Sequence, residues 1–453
     1  MTVHDAIGVG FGPSNMAIAI ALEERLQQRH PGQRAQDAFN AVFLERQRTF
    51  SWHPQMLIRD ADMQVSFLKD LATPRNPRSP YSFINYVHQQ GRFSAFCNLK
   101  SFNPSRVEFN DYLTWAFDQL RDWASTGETV TAIDPVVESG RVTLLEVTSH
   151  TAEGERIRRR TRNLITSLGG SPRVPAAFQP ALADARVFHS HHYLAGRSRN
   201  PGARRYAIIG AGQSAAEIFM DLASDEANHV DLVARAYAPR PADETPFVNR
   251  IFDEEFIDHF YQLDAAQRAA FLEAFHHTNY AAIDVDLLHA MNRRLYEDRF
   301  LHPDRLHLRM RHEVSAVVPR ADHVELVLTD LNTGRQYQQA HDAVILATGY
   351  ERSLHQKLLG EIRPYITDFS VDRHYRLKSV REFEPTVFVL GSNEATHGLS
   401  DTLLSVAAIR AGQIADTLLA SAGQFDGPDS LPAASSAPRQ HHARHESEAS
   451  PSL

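Results

Sequence analysis

Two short glycine turns are where this sequence concentrates its chemistry. Gly10-Phe11-Gly12-Pro13-Ser14-Asn15 follows an apolar, strand-like run and opens a helical one, which is the context a dinucleotide-binding turn requires. Gly10 permits a tight turn and Gly12 lets the backbone approach a pyrophosphate. The helix start at Pro13 and Ser14 presents its positive dipole end to phosphates. Asn15 stands where a third glycine is usual, and Glu45 closes the next strand-like run, where a carboxylate can accept from a ribose. Gly210-Ala211-Gly212-Gln213-Ser214-Ala215 repeats the arrangement. After its second strand comes Arg235, with Arg240 close behind, where an NAD enzyme places an acid. Arginine there suits the 2′-phosphate of NADP, the alternative being a solvated surface role.

Two dinucleotide turns on one chain point to FAD plus NADPH. The chain holds a single cysteine, Cys97, so it forms no internal disulfide, no CxxC redox pair and no cysteine-based zinc site. Electrons from a flavin must then pass to oxygen or to a bound organic acceptor. His189, His191 and His192 fall within four positions but lack carboxylate or cysteine partners at ligand spacing, so no metal is expected. His276 and His277 precede Thr278-Asn279 and read as turn-shaping residues.

The elements that must hold these turns follow from hydrophobic period. The pattern predicts strands at 5–10 and 41–45 around a helix at 14–29, then an aperiodic stretch from 50 until a helix beginning near Phe109, and a strand at 163–168. The cluster Gly169-Gly170-Ser171-Pro172-Arg173-Val174-Pro175 breaks any element and reads as a crossing between domains. Beyond it the pattern predicts a strand at 206–209, a helix at 214–224, a strand at 230–234, helices over 253–300, a strand at 342–347 and a helix near 401–420. The expected class is α/β with two Rossmann-like domains and a smaller helical segment. FAD would occupy residues 1–168 with 342–422, NADPH residues 169–245 with 301–341, and substrate the helical segment 246–300. Residues 423–453, rich in Ser, Pro, Ala and His without apolar period, are expected to be a disordered tail.

Composition sets the outer limits. The chain has 453 residues, 43% of them hydrophobic, enough for two or three cored domains. A formal net charge of −8 argues against nucleic acid or an anionic membrane as the main partner. Without a signal-peptide pattern or a long apolar run, a cytoplasmic protein is the expectation.

The motifs also carry a resemblance. Gly8-Val9-Gly10-Phe11-Gly12-Pro13-Ser14-Asn15, Trp52-His53-Pro54, Met63 to Leu71, Ser82 to Tyr86, Gln213 to Glu217, Phe247-Val248-Asn249, Thr278-Asn279-Tyr280, Ala347 to Tyr350 and Thr396 to Ser400 occur in an order that resembles the flavin-dependent N-hydroxylating monooxygenases of siderophore biosynthesis, and within them the bacterial L-ornithine N-monooxygenases. The resemblance implies FAD contacts from Gly10, Gly12, Pro13, Ser14, Asn15, Glu45, Trp52, His53, Met63, Gln64 and Leu404. It implies NADPH contacts from Gly210, Gly212, Gln213, Ser214, Arg235, Asn279, Thr348, Gly349 and Tyr350, and a substrate pocket of Lys69, Asn249, Asn279, Leu403 and Ser405. Lys69, Asn279 and Gln64 would stand nearest the reaction. It further implies hydroxylation of the side-chain amine of L-ornithine with O2, and a homotetramer. The rival readings are a lysine or diamine N-hydroxylase, an NADPH oxidase, or a nucleotide-binding protein without turnover.

Overall fold

The computed structural model describes residues 2–423, so the tail expected from 423 onward lies, but for its first residue, outside the described residues. Two sheets organise the chain. The first has seven strands, in the order Ala124–Thr126, Ala41–Glu45, Val3–Val9, Arg156–Thr166, Arg141–Thr151, Glu128–Glu138, with Thr386–Val389 also pairing Arg156–Thr166. Val3–Val9 runs parallel to both neighbours, while the three long strands from Glu128 to Thr166 form an antiparallel meander that alternating periodicity had not marked. Helix Pro13–Arg29 buries Met16 through Leu22 completely or nearly so and packs against helix Ala407–Ser421. Small residues Ala408, Ala411 and Ala415 on the second helix are buried, and Arg25 pairs with Asp416 at 3.0 Å between the two.

The second sheet is wholly parallel, ordered Leu306–Met310, His229–Ala234, Arg205–Ile209, Ala343–Leu346, Val187–His189. Parallel sheets need cover on both faces, and their strands read as continuous apolar runs. Helix Gln213–Ala223 supplies cover on one side, together with Leu287, Leu288, Met291 and Leu295 of helix Val285–Leu301. A three-stranded antiparallel sheet, His312–Pro319, Val324–Asp330 and Gln336–His341, packs its apolar residues with Val233, Val344 and Leu346.

Two expected boundaries move. The strand expected to return to the FAD-type unit at 342 lies in the second sheet, with Ile345 in register with Ile208. An all-apolar strand is fit for the centre of either sheet, so its sequence does not say which; the return is made by Thr386–Val389. The helical segment 246–300 is likewise divided. Its last helix belongs to the second core, while Phe260 of helix Glu254–Gln262 is fully buried and faces Gly398. Among the described residues no helix is long and apolar enough to cross a membrane.

Candidate active site

The two glycine turns have the same build. Gly10 has φ +83°, and a Cβ there would lie 2.5 Å from the carbonyl oxygen of Ser167. Gly210 has φ +144° and would strike the carbonyl of Ala347 in the same way. Both first glycines are therefore required twice over, by backbone conformation and by contact. Each donates its N–H across to the next strand, Gly10 to Leu44 at 2.8 Å and Gly210 to Val233 at 3.0 Å. The second glycines differ in kind. Gly12 is extended, with φ −78° and ψ −175°, and a Cβ on it would meet nothing within 4 Å. Open space thus lies in front of a helix whose first turn carries no acid, a cradle that fits a pyrophosphate.

Around the first turn the fit to a dinucleotide is built from buried polar groups. Asn15 is fully buried and donates Nδ2 to the carbonyl of Gly10 at 2.6 Å, while its Oδ1 is an acceptor without a partner. Glu45 accepts from the backbone N–H of Phe11 and of Gln47, each at 2.9 Å. The expected ribose acceptor is therefore also the clasp of the glycine turn, with lone pairs left for a ligand. Ser14 Oγ accepts from Arg410 Nη2 at 3.1 Å.

Trp52 packs edgewise on His53, with ring centroids 4.5 Å apart, and its backbone N–H donates to Asn110 Oδ1. His53 has φ +48°, uncommon for a residue with a side chain. Met63 is buried, its backbone paired with Pro104 and Asn103, and Gln64 beside it is exposed.

Lys69 is half-buried on a loop that its neighbour fixes. The Asp70 carboxylate, 3% exposed, accepts from the N–H groups of Ala72, Thr73 and Phe83 and from the Thr73 hydroxyl. Burial pushes its pKa above the usual range while these bonds pull the other way. Among the described residues Lys69 has no ion-pair partner.

The loop Thr278 to Asp284 covers the second turn. Ala281 Cα lies 3.5 Å from where a Gly212 Cβ would be, and Gln213 Oε1 accepts from the N–H of Asp284 at 2.9 Å. Asn279, at the end of the short helix His276–Thr278, lies in this loop. Tyr280 donates its hydroxyl to Glu394, joining that loop to the segment before Leu403; burial and then the carboxylate push its pKa up to about 12. Asn249 is exposed and hydrogen-bonds only within its own turn, to Thr245 and Glu244. No hydrogen bond joins Lys69, Asn249 and Asn279 among the described residues. Leu403, Leu404 and Ser405 are half-buried, Leu404 against the first core.

Arg235 is 74% exposed, 3.9 Å from Glu313. Next to it Arg311 lies over the ring of Tyr237 at 4.4 Å and donates to the Arg235 carbonyl, so two cations and an exposed aromatic stand together after strand His229–Ala234. Thr348 donates its hydroxyl to the Arg173 carbonyl at 2.5 Å. Gly349 has φ +80°, and its carbonyl lies 3.0 Å from His189 Nε2; the Tyr350 ring packs edgewise on His189.

One bridge between the units was not foreseen. Arg106 forks onto both oxygens of Glu217 at 2.6 and 2.7 Å and also reaches the carbonyl of Met56. Glu217 accepts from Gln213 as well. The only sequence signal was Glu217 at the fifth place of the second turn's helix, an acid inside an apolar stretch.

The chain matches the family model described as L-lysine 6-monooxygenase/L-ornithine 5-monooxygenase over residues 2–352. The L-ornithine N(5)-monooxygenase of Pseudomonas aeruginosa is 42% identical over 421 residues, covering 92% of this chain and 94% of that one. That of Burkholderia cepacia is 44% identical over 410 residues, covering 88% and 90%. A structure of the ornithine N-hydroxylase of Kutzneria sp. 744, with reduced FAD, NADP+ and L-ornithine, superposes with TM-score 0.86 at 35% identity, covering 93% of this chain and all of that one. The paired turns, the loops that join them and these likenesses along nearly the whole length place the chain in the L-lysine 6-monooxygenase/L-ornithine 5-monooxygenase family.

Proposed function

We propose that this protein is an FAD- and NADPH-dependent monooxygenase that hydroxylates the side-chain amine of L-ornithine with O2, an early step toward hydroxamate siderophores. The observation that carries the reading is the pair of like-built glycine turns, each following a strand paired in parallel with its neighbours, bridged by loops bearing the amine-binding motifs. FAD lies on the first unit and NADPH on the second. Flavin, when bound, supplies the redox chemistry that takes a hydride from NADPH and activates oxygen.

The protein's part is binding, orientation and dryness. Lys69 pairs with the amino-acid carboxylate, and Asn249 and Asn279 offer donors and acceptors to its polar groups. Asn279 is shared with the nicotinamide end. The amine must react unprotonated although its solution pKa is like that of lysine, ~10.4. Leu403 and Leu404 provide apolar surroundings that disfavour the ammonium form. The chain acts in the cytoplasm as an assembly of several copies, a tetramer by the family's pattern.

Purified protein tests this directly. It should be yellow, and NADPH consumption should yield stoichiometric hydroxylated amine with ornithine. Lysine should drive oxidation with little product, because with the carboxylate anchored its extra methylene displaces the amine, and ~1 Å can cost on the order of a hundredfold in rate. Coupled hydroxylation of lysine or putrescine would replace the substrate, and a colourless protein without NADPH turnover would leave a binding protein.

A further inference from the structure

Behind the first glycine turn lies a buried ion pair that the sequence motifs do not explain. Arg410, on helix Ala407–Ser421, is 3% exposed, and Asp401 is fully buried. Arg410 Nη1 donates to the Asp401 carbonyl at 2.7 Å and to its Oδ1 at 3.1 Å, while Nη2 reaches Ser14 Oγ. The other carboxylate oxygen of Asp401 accepts from the N–H of Asn393 at 2.6 Å. The guanidinium also lies 5.4 Å from the ring of Tyr375, on which His397 stacks at 4.2 Å. One pair of charges thus touches the phosphate turn at one end and both ends of the segment 393–401, just before Leu403, at the other.

Desolvating two charges is costly, and a buried pair of this kind is weak support for stability by itself. Geometry gives it another use. A serine hydroxyl has one proton and two lone pairs. With Arg410 donating into a lone pair, the Ser14 proton is left to be given to an anion in front of the turn. The same guanidinium fixes Asp401, and Asp401 fixes the backbone from which Leu403, Leu404 and Ser405 follow.

We propose that Asp401 and Arg410 are positioning residues that lock the amine-side segment 393–405 to the FAD phosphate turn, so that substrate and cofactor keep one register and hydroxylation stays coupled to NADPH oxidation. This rests on the monooxygenase reading. Coupled turnover converts R–NH2, O2, NADPH and H+ into R–NHOH, NADP+ and H2O. Without register the same two electrons reduce O2 to H2O2 and the amine leaves unchanged.

The test uses the full-length holoprotein with Asp401→Asn, Arg410→Lys and the double variant Asp401→Asn/Arg410→Gln, which leaves no unpaired buried charge. Hydroxylated ornithine per NADPH should fall at least threefold in every variant, with H2O2 rising to balance and the NADPH KM within twofold. FAD binding, read by flavin fluorescence, should weaken at least threefold in Arg410→Lys and in the double variant. The double variant should regain melting temperature lost in the single ones without regaining coupling, which a merely structural role would not do. As a control, Asp416→Asn breaks the partly exposed pair between the same helices and should leave coupling unchanged. Coupling that recovers together with melting temperature, or that stays at the wild-type ratio in all three variants, overturns the proposal. If the wild type hydroxylates no amine, the functional reading fails separately, and unaltered FAD affinity in Arg410→Lys and the double variant still overturns the link to the phosphate turn.

Discussion

Two glycines two positions apart answer to different constraints, and substitution separates them. Gly10→Ala places a Cβ 2.5 Å from a backbone oxygen at φ +83°, so the chain itself should lose about 1–3 kcal/mol, measured as a lower melting temperature of the apoprotein. Gly12→Val meets no protein atom near its Cβ and should fold normally but purify colourless, because the side chain fills the pyrophosphate path. Retention of full flavin by Gly12→Val would refute the cradle. Lys69→Ala should raise the ornithine KM by the loss of a desolvated charge contact, a few kcal/mol, with flavin reduction by NADPH nearly normal in stopped-flow traces. A diamine without the carboxylate should lose far less. Arg235→Ala should narrow the preference for NADPH over NADH about tenfold or more, since a charge-assisted bond is worth roughly 1.5–3 kcal/mol. An unchanged ratio of the two KM values would move the role to Arg311, over Tyr237.

At the scale of elements, side chains that tie one helix or loop to another hold the two units together. Helix Arg106–Gln119 begins with the arginine that forks onto Glu217 of helix Gln213–Ala223. The Glu217 side chain is 3% exposed and that of Arg106 14%. Removing one partner leaves the other buried and unpaired, so Glu217→Ala should cost about 3–5 kcal/mol in denaturant unfolding. It should also slow flavin reduction, because Gln213 loses the partner that orients it toward Asp284. Regular elements with a strong period were legible: the helices after both glycine turns start within one residue of expectation. Segments 50–110 and 393–405 were not, since their order comes from scattered hydrogen bonds such as those of Asp70 and Asp401, which have no period.

For the molecule as a whole, two neutral histidines set an acid limit. His189 and His397 are 4% and 0% exposed, and burial pushes each down to about 4. Their folded values lie below the ordinary ~6.5, so the unfolded chain binds more protons between the two. The stability that neutral rings confer is full above about pH 6.5 and lost as pH falls toward about 4. From pH 6.5 to 5 each ring should cost about 2 kcal/mol. Denaturant midpoints taken at both pH values should show this, and His397→Gln should remove one share of the slope.

Local chemistry is what the sequence determined by itself. Glycines with their following helices, the arginine after the second strand, the single cysteine and the ordered motifs depend on near neighbours, and they sufficed for two dinucleotide units and the reaction class. Tertiary structure alone decided which sheet took the apolar strand Ala343–Leu346, because apolar strands are interchangeable until their neighbours are chosen. It alone gave Glu45 its place as clasp of the first turn. It alone joined residues 396 positions apart, Ser14 and Arg410, since a hydrogen bond between distant segments leaves no trace in the spacing of either.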